Sequence, residues 1–397
     1  MSFDIALSGI QAINEQLTTV SNNIANAATY GFKSSRANFS SVYAGTKANG
    51  VEIGSITQSI AQNGSAVTTG RALDAAIDGR GFFVSRDLQG GLTYSRVGIF
   101  SADVQGYLID SNGKRVQGYG PTTAGSALGA MGDVKIPTGQ IEAKETTSID
   151  YVGNMSADWA TKTVAGFKAN DPSTYNQVKQ SLVYDSLGAQ HTLSQYFVKT
   201  GDNTVSVFYA FDKGTPGTAA NATLTFDSKG KLTGTANTGT LTFPAAAGAA
   251  SGSVTISYAG STLYAGDATT TTNRSDGYAS GAFIGVELAS DGSLVAKYSN
   301  DQSQVVGTLA IATFPNEGAL TATSDTSWTA NANSGDPLYN TPGVGLSGKL
   351  TTGTLEGSNV DITSELVGLM TSQRNYQANS KVLTTENQMM QALMQAL

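Results

Sequence analysis

The chain of 397 residues contains no cysteine, which excludes disulfides, thiolate metal sites and cysteine nucleophiles together. It has one histidine, His191, so neither a histidine metal cage nor a histidine-based triad is expected. Charge is scarce: Asp, Glu, Lys and Arg make up 13 % of the residues, against about a quarter in an average globular domain. The 30 acidic residues outnumber the 23 basic ones, and no basic cluster stands out, so nucleic acid is not an expected partner. No uninterrupted apolar run approaches the roughly 18 residues of a membrane span, and no membrane insertion is expected. Met1-Ser2-Phe3-Asp4 offers no basic n-region, so any passage out of the cytoplasm is expected to proceed without signal-peptide cleavage. Proline is rare, at 8 residues, while glycine reaches 46. Small residues and few charges suggest a β-rich chain with many turns and a surface suited to packing against protein. Length alone suggests two to three domains at roughly 150 residues each.

The two ends read differently from everything between them. Phe3, Ala6, Ile10, Ile13, Leu17, Val20 and Ile24 recur at alternating steps of three and four, the spacing of a heptad seam. Ser2 suits an N-cap, Asp4 the first turn and Gly31 a stop. At the other end Ile362, Leu366, Leu369, Gln373, Tyr376, Ser380, Leu383, Asn387, Met390, Met394 and Leu397 step in the same way, with Asp361 placed to cap. Between the ends the period changes to two. Short strands are expected at 82–84, 94–100, 107–109, 181–184, 192–199, 205–211, 281–288, 294–298 and 305–314, with turns at Asn112-Gly113 and Asp291-Gly292. The segment 214–272, rich in Thr, Ala, Gly and Ser, reads as a low-complexity, solvent-facing part of an inserted β-domain.

Candidate chemistry is thin. His191 sits in a turn at the entry to a strand, with no second ligand near it in sequence. Asp74 and Asp78 are spaced by four and could form an acid–base pair, but Arg71 and Arg80 stand ready to pair with them. Asp78-Gly79-Arg80-Gly81 and Gly118-Tyr119-Gly120 lack the rest of a dinucleotide fingerprint. No catalytic, cofactor-binding or metal-ligating residue is assigned, and no cofactor is expected. The terminal stripes are the stronger feature. Most amphipathic helices cover their own core, yet these lie at the extreme ends, beyond polar linkers, and an isolated helix cannot bury its stripe alone. That points to self-assembly through the ends.

At this point the residues carry a resemblance. Asn22-Asn23-Ile24-Ala25-Asn26-Ala27-Ala28-Thr29-Tyr30-Gly31-Phe32-Lys33 resembles the N-terminal signature of the bacterial flagellar axial proteins, the family of rod, hook and hook-associated subunits. Thr69-Gly70-Arg71-Ala72-Leu73-Asp74, Gly81-Phe82-Phe83, Tyr94-Ser95-Arg96-Val97-Gly98 and Val116-Gln117-Gly118-Tyr119 follow in family order. Leu355-Glu356-Gly357-Ser358-Asn359-Val360-Asp361 and Gln373-Arg374-Asn375-Tyr376-Gln377-Ala378-Asn379 close it. Val183-Tyr184-Asp185-Ser186-Leu187-Gly188 and Phe314-Pro315-Asn316-Glu317-Gly318 are similar to hook-type subunits in particular.

The resemblance implies a mixed, mainly β fold of nested β-domains, flanked by N- and C-terminal α-helices that pair as a coiled-coil-like inner domain. The expected domains are 1–28 with 362–397 (helical polymerisation), 29–69 (linker), 70–144 with 278–361 (middle β-domain) and 145–277 (inserted outer β-domain). It implies a non-enzymatic hook subunit of the bacterial flagellum that polymerises into a bendable tube and passes motor torque to the filament. The expected partners are further copies of the chain, the distal rod, hook cap and hook–filament junction proteins, and the flagellar type III export apparatus. The polymer interface is expected at Phe3, Ile10, Ile13, Leu17, Val20, Ile24, Ile362, Leu366, Leu369, Tyr376, Leu383 and Met390, with linker contacts at Tyr30, Phe32, Phe39 and Tyr43. A protease-resistant core is expected to begin near residue 70 and end near 355. A distal rod or junction subunit, or a β-rich secreted adhesin or binding module, are the alternatives.

Overall fold

The computed structural model describes all residues except 1, 45–46, 122–128, 213, 218, 235–236, 244–247 and 397. The chain divides into two units, Met1–Thr138 with Ile284–Lys297 and Ser303–Leu397, and Gly139–Phe283 with Tyr298–Gln302.

The first unit holds both helices. α1 (Ser2–Ala25) begins where expected but stops before Gly31. Asn26 Nδ2 donates to the Asn22 carbonyl at 3.0 Å and Thr29 Oγ1 to Asn26 Oδ1 at 3.1 Å. Side chains that compete in this way for backbone groups end helices. Gly31 then turns the chain at φ +68°, a region open to glycine at little cost. α2 (Ile362–Ala396) runs 35 residues. Asp361 caps it, accepting from the Thr363 N–H and from Ser364 Oγ, each at 2.9 Å, which satisfies donors that the first turn leaves open.

The segment 29–69, expected as a linker, is a built element. β1 (Ser35–Ala44) and β2 (Lys47–Gln58) form an antiparallel hairpin, from Ser35 opposite Gln58 to Ser41 opposite Val51. The hairpin lies along α1, with the Val51 N–H donating to Ser8 Oγ at 3.2 Å. Thr354–Glu356 then pairs with Ala66–Thr68, and Lys349–Thr352 with Ala75–Asp78.

A thirteen-stranded sheet among the described residues follows, and its order shows how the chain nests. Ser303–Leu309, which comes after the second unit in sequence, pairs with Arg115–Tyr119, which comes before it, Thr308 facing Tyr119 and Leu309 facing Gly118. Ile311 likewise faces Phe83. These long-range pairings close one sheet across the insertion. Its core gathers Ile60, Phe82, Val84, Tyr94, Phe314, Leu320 and Trp328. Phe82 meets Trp328 at 5.6 Å, and Tyr94 meets Phe314 nearly edge-on at 4.8 Å and 86°, a geometry that aromatic quadrupoles favour. Trp328 Nε1 donates to Gln58 Oε1 at 2.9 Å, tying the hairpin end to this core.

The second unit has a four-stranded and a five-stranded sheet among its described residues. Ile149, Tyr151, Phe197, Val205, Val207, Leu224, Phe226, Val254, Ile256 and Tyr258 from both sheets share one core. Tyr209 and Tyr258 bond through their hydroxyls at 3.0 Å, and Tyr258 donates on to Gln195 Oε1 at 2.7 Å, so the polar atoms of that core are paired, as burial requires. The reading of 214–272 as solvent-facing is corrected here. Ala222–Phe226 alternates buried and exposed residues, and Phe226, Phe243, Val254 and Ile256 all point inward. The threonines on the outer faces mask a period of two that the composition hides.

One turn recurs in both units. At Asp87, Asp103, Asp110, Asp185 and Asp227 the side-chain Oδ1 accepts from the backbone N–H groups two and four residues on, at 2.7 to 3.0 Å. The glycine three residues on (Gly90, Gly106, Gly113, Gly188 and Gly230) has φ between +71° and +92°. The pattern Asp-x-x-Gly therefore closes five hairpins by the same chemistry.

Candidate polymerisation surface

The terminal helices pack antiparallel. Asn23 Nδ2 of α1 donates to Glu365 Oε1 near the start of α2 at 2.9 Å. Fourteen residues back along α1, the Asn379 amide fills the space that a side chain at Gly9 would need, 2.8 Å from a built Cβ.

The buried face of α1 is rotated from the expected one. Ala6, Gly9, Ala12, Ile13, Thr19, Val20 and Asn23 are buried. Ile10, Leu17 and Ile24 are half-buried, and Phe3 is exposed. Small residues allow a close helix approach, and Asn23 gains partners on two elements, since it also donates to the Ser35 carbonyl at 2.8 Å and accepts from the Ser35 N–H at 2.9 Å. Ile13 and Val20 thus belong to the intramolecular seam.

α2 presents the opposite picture. Leu369 and Leu383 are half-buried, whereas Ile362, Leu366, Tyr376 and Met390 are exposed. Val367, Met370, Val382, Met389, Leu393 and Met394 are exposed as well. α2 has 35 residues to the 24 of α1, so in this antiparallel register its last turns extend past the start of α1. Isolated apolar residues at a surface are ordinary, but here they recur along the length of α2. Of the linker residues, Phe32 is buried, Tyr30 stands at the edge of exposure, and Phe39 and Tyr43 are open on the hairpin.

Reading the stripes as apolar seams missed the polar groups that fix the arms. The Lys33 ammonium is fully buried, 2.6 Å from Glu356 Oε1. The same carboxylate lies 3.4 Å from Arg96 Nη1 and accepts from the Gly64 N–H at 3.0 Å. Burial pushes both cations below their ordinary pKa, and Glu356 opposes that shift in each. Asn359 accepts from the Ser34 N–H at 2.7 Å and donates to the Ser59 carbonyl at 2.9 Å. The available signal was a lysine and a glutamate, each set among apolar and small residues, in a chain where charge is scarce.

The other candidates resolve into structural roles. Asp74 is buried, accepting from Thr69 Oγ1 at 2.7 Å and lying 3.4 Å from Arg71, while Asp78 is exposed. Arg80 pairs with Glu317 at 2.9 Å instead of with Asp78. His191 sits between Asp212 (2.8 Å) and Asp185 (3.4 Å), and its pKa is raised, first by the bond to Asp212 and then by that to Asp185 against the effect of burial. Among the described residues no group of three or more His, Asp or Glu is arranged to hold a metal, and no helix is long and apolar enough to cross a membrane.

Comparison with known proteins decides the family. The chain is 36 % identical over 401 residues to the flagellar hook protein FlgE of Escherichia coli K12, covering 99 % of both chains. It belongs to the flagellar hook protein family. It is also 37 % identical over 407 residues to FlgE of Salmonella typhimurium, again covering 99 % of both, and 33 % identical over 398 residues to FlgE of Brucella suis, covering 98 % of this chain and 96 % of that one. Family models match in succession along the chain: the flagellar basal body rod protein over 3–33, the flagellar hook protein FlgE/F/G D1 domain over 76–157, the flagellar basal body protein FlaE D2 domain over 154–278, and the flagellar basal body rod FlgEFG protein C-terminal domain over 351–396. The crystal structure of Helicobacter pylori hook protein FlgE2 superposes with a TM-score of 0.56 at 14 % identity, over 73 % of this chain and all of that one, and so shares the fold. The protein is a structural subunit of the bacterial flagellar hook, part of a homopolymeric axial structure, and not an enzyme.

Proposed function

We propose that this subunit assembles through its two terminal helices into the wall of a tubular hook, and that the tube bends while it passes motor torque to the filament. The observation that carries the reading is the open apolar row of α2. Ile362, Leu366, Tyr376 and Met390 are exposed in one subunit, and covering them is worth on the order of 1 kcal/mol each. In this reading residues 1–28 and 362–397 form the polymerisation domain. Ile10, Leu17, Ile24, Leu369 and Leu383 complete the interface from their half-buried positions, and Phe3 joins at the end. Ile13 and Val20 hold the helix pair that presents it. Residues 29–69 carry the hairpin, whose Tyr30, Phe39 and Tyr43 reach neighbouring subunits while Phe32 anchors within its own. Residues 70–144 with 278–361 form the middle layer and 145–277 the outer one.

The distal rod, hook cap and hook–filament junction proteins are the expected neighbours at the ends of such a tube. The subunit reaches them through the flagellar type III export apparatus without leader cleavage. Electron microscopy of assemblies from the full chain, beside a chain lacking 1–28 and 362–397, tests the reading. Curved tubes from the first and none from the second are expected. Straight tubes favour a rod-type role, and tubes from the shortened chain overturn the assignment of the helices.

A further inference from the structure

Three deeply buried charges in the described first unit come from three separate stretches of chain and meet. Lys33 comes from the segment after α1, Arg96 from the loop after Leu92–Ser95, and Glu356 from the strand before α2. Their side chains are 0 %, 1 % and 3 % exposed. Lys33 Nζ has Glu356 at 2.6 Å and the Gln62 carbonyl at 2.6 Å. Arg96 reaches the Ile77 and Gly79 carbonyls at 3.2 and 2.8 Å and Asn63 Oδ1 at 3.2 Å. One carboxylate therefore faces two buried cations. The neighbouring carboxylate, Glu317, is itself paired with Arg80.

Three backbone bonds around the cluster join the N-terminal arm, residues 26–69, to the C-terminal arm, residues 354 onward. The Gly31 N–H donates to the Glu356 carbonyl at 2.8 Å, the Gly357 N–H to the Ser65 carbonyl at 2.7 Å, and the Asn359 N–H to the Phe32 carbonyl at 3.3 Å. This stitching tethers the chain back to Gly31, well before the boundary near residue 70 expected from sequence.

We propose that Glu356 is the positioning residue of the assembly helices: the N-terminal arm and the C-terminal arm, which starts at the strand Thr354–Glu356 and leads into α2, dock on the remainder of the first unit only together, because Lys33 cannot be buried without the Glu356 carboxylate. A buried ion deprived of its partner is strongly penalised, whereas a cation in water is not. An N-terminal arm docking alone would bury Lys33 beside Arg96 with no counter-ion. Lys33 and Glu356 are 323 residues apart, so the N-terminal arm waits for nearly the whole chain. The role of the helices in assembly rests on the reading above, but the joint docking of the arms does not.

The experiment uses the full-length chain and its Glu356→Gln, Lys33→Met and Lys33→Met/Glu356→Gln variants. Limited trypsin digestion is followed by mass spectrometry at Arg36 on the N-terminal arm and at Arg374 and Lys381 on α2, with polymerisation measured in parallel by sedimentation. Glu356→Gln is expected to speed cleavage at all three sites together, by more than about tenfold given what breaking a buried pair costs. Sites within the second unit should change little. Lys33→Met alone, which leaves Glu356 paired with Arg96, should act far less. The double variant should recover part of the protection lost in Glu356→Gln, because the cation that needed the carboxylate is gone; a purely packing role for residue 356 gives no such rescue.

Faster cleavage at Arg374 and Lys381 with Arg36 unchanged overturns the proposal. So does a double variant at least as sensitive as Glu356→Gln. If Glu356→Gln yields no folded protein, the comparison of Lys33→Met with wild type still judges the claim: strong release of both arms by Lys33→Met would contradict it. Failure of the wild-type chain to polymerise would count against the assembly reading, while the digestion pattern would still decide the joint docking.

Discussion

Replacing Met390 by alanine separates what the helices do within one subunit from what they do between subunits. The Met390 side chain is 62 % exposed in the subunit. Fully burying a methionine is worth about 1.5–3 kcal/mol, so the share left for a neighbouring subunit to cover is about 1–2 kcal/mol by the same scale. At roughly 1.4 kcal/mol per factor of ten, losing it raises the critical concentration for polymerisation about five- to thirtyfold. The free subunit should barely notice, since surface substitutions stay within about ±0.5 kcal/mol. Ile13→Ala is the counterpart. Ile13 is 6 % exposed, so truncating it costs about 2–4 kcal/mol in the subunit itself. Sedimentation of polymer against total concentration measures the first effect, and thermal unfolding of the unpolymerised subunit by circular dichroism the second. If Met390→Ala leaves the critical concentration within twofold of wild type, the open row of α2 is not an assembly contact and the reasoning fails.

Other outcomes follow from the described contacts. His191 has a carboxylate at each ring nitrogen, and only the imidazolium can donate to both. Its raised pKa means that its contribution to stability is complete below the ordinary value near 6.5 and is lost as pH rises through the higher folded value. Thermal unfolding from pH 6 to 9 should show that loss in wild type and a flatter profile in His191→Asn; identical slopes contradict it. Gly98→Ala should destabilise more than Gly113→Ala in chemical denaturation. A Cβ at Gly98 would lie 1.8 Å from the Ala75 carbonyl oxygen, forcing a backbone shift that costs several kcal/mol by the upper end of the overpacking range. Gly113 has open space around it but φ +77°, so alanine there costs only about 1–2 kcal/mol of left-handed strain.

The features that were legible in the sequence are those set by local rules. The extent of α2, its Asp361 cap and most of the strands followed from periodicity and capping chemistry. The Asp-x-x-Gly turns were equally local and could have been read from their fivefold recurrence. The motifs at both ends carried the family, because they are specific residue by residue.

Tertiary structure decided which face of each helix is covered, and by what. A heptad spacing in α1 is satisfied by either of two neighbouring faces. The choice of Gly9, Ala12, Thr19 and Asn23 over Ile10, Leu17 and Ile24 came from the close approach at Asn379 and the bonds from Asn23 to Ser35 and Glu365. In the threonine-rich segment 214–272, whether a strand buries anything depends on a facing sheet, which composition cannot supply. The ion cluster of Lys33, Arg96 and Glu356 was the least legible feature. Its members lie up to 323 residues apart, and nothing in the spacing of residues along a chain tells a buried charge which distant partner neutralises it.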